Sequence, residues 1–304
     1  KRMSEEETML NEALPVEERA ESFSPAGLLS LNDRAAILVQ DDTSRLYSLY
    51  TWQPGQQEMT LVASNMYRAG GYAQLKDLQE RLENLKEDAL AGTELPDAAH
   101  CFSMLVTDGE KVYGINHLTD GIFTISGENG KAVYTDVATM QDTKIFIQEE
   151  EDYSYALLPD TVAASGNTVL MLMNRWDDNG RVTNLYALSL TDGSVRKVNV
   201  ENVRNFCAYK DGKFLVIASQ KKEDWDENGN RIPQMAMVYD PATDTTTMLS
   251  SSIGVRDDFS YQQLVYSEAL DAVLYCDSTQ IMGTTNFQKA TLYAYLPVDG
   301  YHVA

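Results

Sequence analysis

Short apolar stretches rich in aromatic and β-branched residues recur along this chain, broken at turn-forming residues every few positions. Such a pattern predicts half-buried strands joined by tight hairpins. One arrangement recurs: apolar, aromatic or β-branched, small or polar, apolar, then a turn and a short strand. It stands as Leu46-Tyr47-Ser48-Leu49 before Gln53-Pro54-Gly55, and as Ile122-Phe123-Thr124-Ile125 before Glu128-Asn129-Gly130. It returns as Leu185-Tyr186-Ala187-Leu188 before Thr191-Asp192-Gly193, and as Leu292-Tyr293-Ala294-Tyr295 before Val298-Asp299-Gly300. A looser copy is Met237-Val238-Tyr239, running into a turn at 240–244.

Each copy is preceded by a second hairpin, with turns at 31–34, 107–110, 164–167, 210–213 and 268–271. Asp108-Gly109 and Asp211-Gly212 offer the positive φ that tight hairpins require. Two hairpins per copy make four strands. Repeats of roughly 40 to 50 residues with four strands apiece predict an all-β fold, a β-propeller of four-stranded antiparallel blades. Five blades are recognisable, and whether they close a ring or belong to a larger one is left open. A further degenerate blade over 136–155 is too weak in pattern to count. The second strands, such as 214–218, are nearly continuous apolar runs, as expected of strands covered on both faces.

Between the first two copies the period changes. Leu75, Leu78, Leu82 and Leu85 stand three and four apart, flanked by Lys76, Glu80, Arg81, Glu83, Lys86 and Glu87, which predicts an amphipathic helix over 72–91. Packing against its own propeller is the expected use of that stripe; a partner-binding surface is the alternative. The domain reading is therefore an acidic linker or tether at 1–25 and a propeller domain at 26–304, with a helical insertion at 64–97.

The strand of type Leu-Tyr-x-Leu or Leu-Tyr-x-Tyr, running into a turn and a short edge strand, resembles the pattern of secreted bacterial propeller domains. Such domains occur as modules of Gram-positive cell-surface lipoproteins. The resemblance spans about residues 26–304, and it implies an extracytoplasmic location at the cell surface or in secretion, with any lipid anchor lying outside the sequence given. It implies an architecture rather than an activity.

Charge sharpens this picture by exclusion. Lys and Arg total 24 against 46 Asp and Glu, a formal net charge of -22. Phosphate backbones and anionic lipid are repelled by such a field, so nucleic acid is not an expected partner. No apolar run approaches the ~20 residues of a membrane helix. The cysteines, Cys101, Cys207 and Cys276, lie far apart in apolar strand-like stretches without a CxxC pair, and predict buried free thiols rather than a disulfide framework.

Candidate chemistry is sparse. Trp176-Asp177-Asp178-Asn179-Gly180 and Trp225-Asp226-Glu227-Asn228-Gly229 are matching turns of the third and fourth copies. Their indoles, Trp176 and Trp225, are the candidate ligand contacts, because paired exposed aromatics stack on sugar rings or anchor a protein partner. Asp224, Asp226 and Asn228 follow the first half of an EF-hand loop and are the candidate calcium ligands, although Met235 stands where the loop's bidentate Glu belongs. No other cofactor is expected. The acidic run 149–152 reads as a solvated loop. His100, His117 and His302 are dispersed, and no nucleophile elbow, zinc motif or P-loop occurs. The expected function is a non-enzymatic binding or scaffolding propeller whose ligand is a protein or a glycan. A polysaccharide-acting hydrolase or lyase with carboxylates near the propeller axis is the alternative.

Overall fold

The computed structural model describes residues 23–88, 93–142, 144–177, 180–223, 225–230, 232–253, 264–280, 287–296 and 301–303. Blade 1 comprises β1 (Phe23–Ser30), β2 (Ala35–Asp41), β3 (Tyr47–Trp52) and β4 (Thr60–Met66). Helix α1 (Leu75–Asp88) follows, and then blade 2: β5 (Met104–Thr107), β6 (Val112–Asn116), β7 (Gly121–Glu128) and β8 (Lys131–Thr139). A two-stranded hairpin, β9 (Ile147–Glu149) with β10 (Ser154–Ala156), occupies the stretch where an extra blade was in question, and the acidic run forms its exposed tip. Blade 3 holds β11 (Thr161–Ser165), β12 (Thr168–Asp177), β13 (Gly180–Ser189) and β14 (Val195–Val198). Blade 4 holds β15 (Val203–Tyr209), β16 (Lys213–Ser219), β17 (Gln234–Asp240) and β18 (Thr245–Ile253). Blade 5 holds β19 (Leu264–Ser267), β20 (Ala272–Gln280), β21 (Phe287–Leu296) and β22 (Tyr301–Val303).

Within every blade, neighbours in sequence are neighbours in the sheet. The expected turns fall where the strands reverse: Asn129 and Gly130 both take positive φ, at 54° and 77°, between β7 and β8. The linker expected at 1–25 lies outside the described residues as far as residue 22, and 23–25 already belong to β1. Likewise β4 retains 64–66, so the insertion proper begins after Met66.

The chain forms two compact units, one of Lys1–Leu158 with Ser189–Ser194, the other of Pro159–Leu188 with Val195–Ala304. In the first, blades 1 and 2 meet edge to edge through a parallel bridge, Ser64 to Lys131, and share a core built on Leu38, Leu49, Phe102, Phe123 and Ile125. Gly127 makes the join close: a Cβ there would fall 1.6 Å from the Val62 carbonyl oxygen. Near the β1–β2 turn, the Asn32 N–H donates to Gly109 O of blade 2 at 2.8 Å.

In the second unit the blades stack face to face. Strand β16 shows the principle. Phe214, Val216 and Ala218 enter the core shared with blade 3, while Leu215 and Ile217 enter the core shared with blade 5. Alternate side chains of a strand point to opposite faces, so one apolar run serves two interfaces. Each fully buried residue of this size contributes about 1.5–3 kcal/mol. Polar fasteners flank these cores: Arg196 Nε donates to the Tyr239 hydroxyl at 3.1 Å, and Lys210 Nζ lies 3.0 Å from Asp271 Oδ1.

Helix α1 uses its stripe as its own spacing demands. Leu78, Leu82 and Leu85 are buried, against Leu46, Tyr67, Ala69 and Cys101 of the first unit. Asp77 in the first turn and Lys86 in the last complement the helix dipole. The helix therefore packs on its own unit.

Candidate functional site

Alternation of direction in a four-stranded blade puts the β2–β3 type of turn and the exit of the fourth strand at the same end. That end is built differently from blade to blade.

In blade 2 it is closed by the insertion. Asn116, at the end of β6, accepts the Leu118 N–H on Oδ1 at 2.8 Å, and its Nδ2 donates to Ala98 O at 2.8 Å and Ala99 O at 3.3 Å. Next to it, His117 Nε2 lies 2.7 Å from Tyr72 O, a carbonyl that can only accept. The proton therefore sits on Nε2, and Nδ1 accepts from the Ser103 hydroxyl at 2.5 Å. Ser103 and His117 are each 1% exposed, and burial pushes the His117 pKa below its ordinary 6.5. A Ser-His pair invites a nucleophilic reading. Here, however, the second ring nitrogen is spent on a backbone carbonyl and no substrate reaches the hydroxyl, so the pair is a strut between blade 2 and the insertion.

His100 does similar work closer to the surface. Its ring lies 3.0 Å from Asp97 Oδ1 and 3.1 Å from Asp136 Oδ1, stacked on Tyr134 at 4.9 Å. Cys101 beside it is fully buried, and burial raises its thiol to about 12; Cys207 is raised to about 12 for the same reason. Both are free thiols. The side chains of Cys276 and His302 lie outside the described part of the structure. Among the described residues no cluster of three His, Cys, Asp or Glu side chains is placed to hold a metal ion.

In blade 1 the corresponding end opens into a cavity of about 430 Å³ lined by Gln40, Arg45, Tyr47, Tyr67, Arg68, Gly70, Gly71 and Leu158. Sequence reasoning missed it. Its members come from the ends of β2 and β4, the turn between β2 and β3, and a loop nearly ninety positions further on, and no local motif links them.

In blades 3 and 4 the same end carries the two tryptophans. Trp176, near the end of β12, is 64% exposed, and Trp225, after β16, is 59% exposed. Both belong to the second unit, at corresponding ends of adjacent blades, Trp176 within its strand and Trp225 beyond the end of one. Asp226 spends its carboxylate on its own turn. Oδ1 accepts the Asn230 N–H at 2.7 Å and the Asn228 N–H at 2.9 Å, and Oδ2 accepts from Asn230 Nδ2 at 3.1 Å. These donors, Asn230 foremost, hold the Asp226 carboxyl below the usual carboxylate range. Asn228 contributes to this turn through its backbone N–H and is exposed. Asp224 lies outside the described residues, as do 178 and 179 of the matching turn in blade 3.

Four-stranded antiparallel blades, their strands in sequence order and, in the second unit, their faces buried between neighbours, place the chain in the β-propeller class. No protein-family model and no curated protein matches it. Among solved structures it is similar to TolB from Acinetobacter baumannii, at 9% identity over 92% of this chain and 53% of that one, TM-score 0.44. It is also similar to the polysaccharide lyase Uly1, at 10% identity over 92% of this chain and 60% of that one, TM-score 0.48. A third is the β-propeller domain of the Trilobed protease from Pyrococcus furiosus, at 8% identity over 91% and 55%, TM-score 0.29. The chain thus spans only part of the length of each of these proteins. No helix among the described residues is long and apolar enough to cross a membrane.

Proposed function

We propose that the chain is a non-enzymatic binding or scaffolding module of an exported bacterial protein, with residues 1–25 as an acidic tether and a cell-surface protein or glycan as ligand. The observation that carries this reading is the exposure of Trp176 and Trp225 at equivalent ends of adjacent blades. Large aromatic side chains that are more than half exposed at corresponding blade ends favour ligand contact, because covering them buries much apolar area for few frozen torsions. The net charge of -22 supports a soluble, well-hydrated surface around them.

Co-sedimentation with isolated bacterial cell envelopes tests the proposal. Wild-type protein is expected to be retained and the Trp176→Ala, Trp225→Ala double variant released. Retention that survives protease treatment of the envelopes identifies a glycan, and loss of retention identifies a protein. No retention of the wild type, or equal retention of both forms, overturns the reading.

A further inference from the structure

The cavity in blade 1 is a basic spot on an acidic protein. Arg45 and Arg68 both line it, and among the described residues neither guanidinium has an ion-pair or hydrogen-bond partner. The local backbone is arranged around them. Arg45 sits in the left-handed region, φ 63°, which disfavours an L residue by about 1–2 kcal/mol. The turn imposes that conformation. Asp41 O accepts the Arg45 N–H at 2.9 Å, and the Asp41 carboxylate accepts the N–H groups of Thr43 and Ser44 at 2.7 and 2.8 Å. Arg68 lies along Gly70, where a Cβ would come within 3.1 Å of its Nε and 2.9 Å of Leu158 Cδ1. Glycine leaves that side chain its space. Tyr47 and Tyr67, each 7% exposed, and the Gln40 amide complete the polar lining.

We propose that this cavity binds a small ligand carrying an oxyanion, a carboxylate or a phosphate monoester, on a hydroxyl-bearing body such as a sugar acid or sugar phosphate. Guanidinium groups present forked N–H donors that match carboxylate and phosphate oxygens. Phenol and amide groups both donate and accept, which suits the hydroxyls of the body. The volume falls within the ordinary range of small-molecule sites. Strain at Arg45 fits a position held for binding rather than for stability. This site shares no residue with the tryptophan turns, so its failure and theirs are separable.

Calorimetric titration with galacturonate, glucose 6-phosphate, glucose and inorganic phosphate tests it. At least one of the two sugar anions is expected to bind with a dissociation constant of about 1 mM or tighter, and glucose is not. Binding of galacturonate alone identifies a carboxylate site; binding of glucose 6-phosphate and inorganic phosphate identifies a phosphate site. Arg45→Asn and Arg68→Gln are each expected to weaken binding by about tenfold or more, the loss of one charge-assisted contact. Asn tolerates the left-handed region, so Arg45→Asn is expected to keep or slightly raise the melting temperature while losing the ligand. That combination separates a binding role from a structural one. The proposal is overturned if neither anion binds wild-type protein, if glucose binds as well as they do, or if Arg45→Asn and Arg68→Gln bind like wild type.

Discussion

The two units use the same blade and finish it differently. In the first, the end where the second strand turns into the third is either plugged, by Asn116, His117 and the leucines of α1 in blade 2, or opened into an arginine-lined cavity in blade 1. In the second, blades 3 and 4 each carry a largely exposed tryptophan at that end. The interior of a blade is a packing problem that repetition solves, since one alternating strand feeds two cores. The turn end is free to vary, because its length is not fixed by the hydrogen-bonded ladder of the strands. Differences of function are expected there.

The plug in the first unit breaks most readily at the helix. Leu82→Ala removes a nearly fully buried side chain between α1 and the blades and is expected to lower stability by about 2–5 kcal/mol, measured by urea denaturation. A loss below about 0.5 kcal/mol would mean that the helix does not seal this end. Gly127→Ala tests the edge-to-edge join. Its methyl would meet the Val62 backbone, and a loss of about 1–3 kcal/mol is expected, accompanied by faster amide exchange in β4 and β8.

His117 gives the plug a pH dependence. Burial lowers its folded pKa below 6.5, so above that value neither the folded nor the unfolded chain binds a proton there and the group contributes nothing. Below 6.5 the unfolded chain takes a proton that the folded chain refuses, and stability falls with pH until the folded pKa is reached. The denaturation midpoint of wild type is therefore expected to fall more steeply below pH 6.5 than that of His117→Gln. Parallel slopes would remove the buried neutral histidine from the account. The smallest stability effect is expected in the second unit. The Trp176→Ala, Trp225→Ala double variant should melt within about 0.5 kcal/mol of wild type, because exposed side chains contribute little to folding. A larger loss would assign the indoles to packing.

What was legible in the sequence follows the same division. The hairpins were readable because Asp-Gly and Asn-Gly turns act locally, and β16 because an unbroken apolar run of that length has few alternatives. The helix was readable from four leucines, though its described extent, Leu75–Asp88, is shorter than the 72–91 span. The strut at blade 2 was not readable. Ser103, His117 and the Tyr72 carbonyl are separated by 14 and 45 positions, and a backbone carbonyl leaves no mark in a sequence. The cavity was hidden for the same reason, since Arg45, Arg68 and Leu158 meet only through the fold. The match between two turns singles out Trp176 and Trp225, and what the structure adds is their exposure. The calcium expectation at Asp224, Asp226 and Asn228 rests on spacing alone; the Asp226 carboxylate accepts from the donors of its own turn, and Asp224 lies outside the described residues.

The most direct measurement is hydroxyl-radical footprinting read by mass spectrometry on the protein free and bound to cell envelopes. The account predicts protection of Trp176 and Trp225 on binding, with Trp52 and the buried Asn116–His117 turn of blade 2 unchanged. Equal oxidation of Trp176 and Trp225 in the free and bound protein would contradict it.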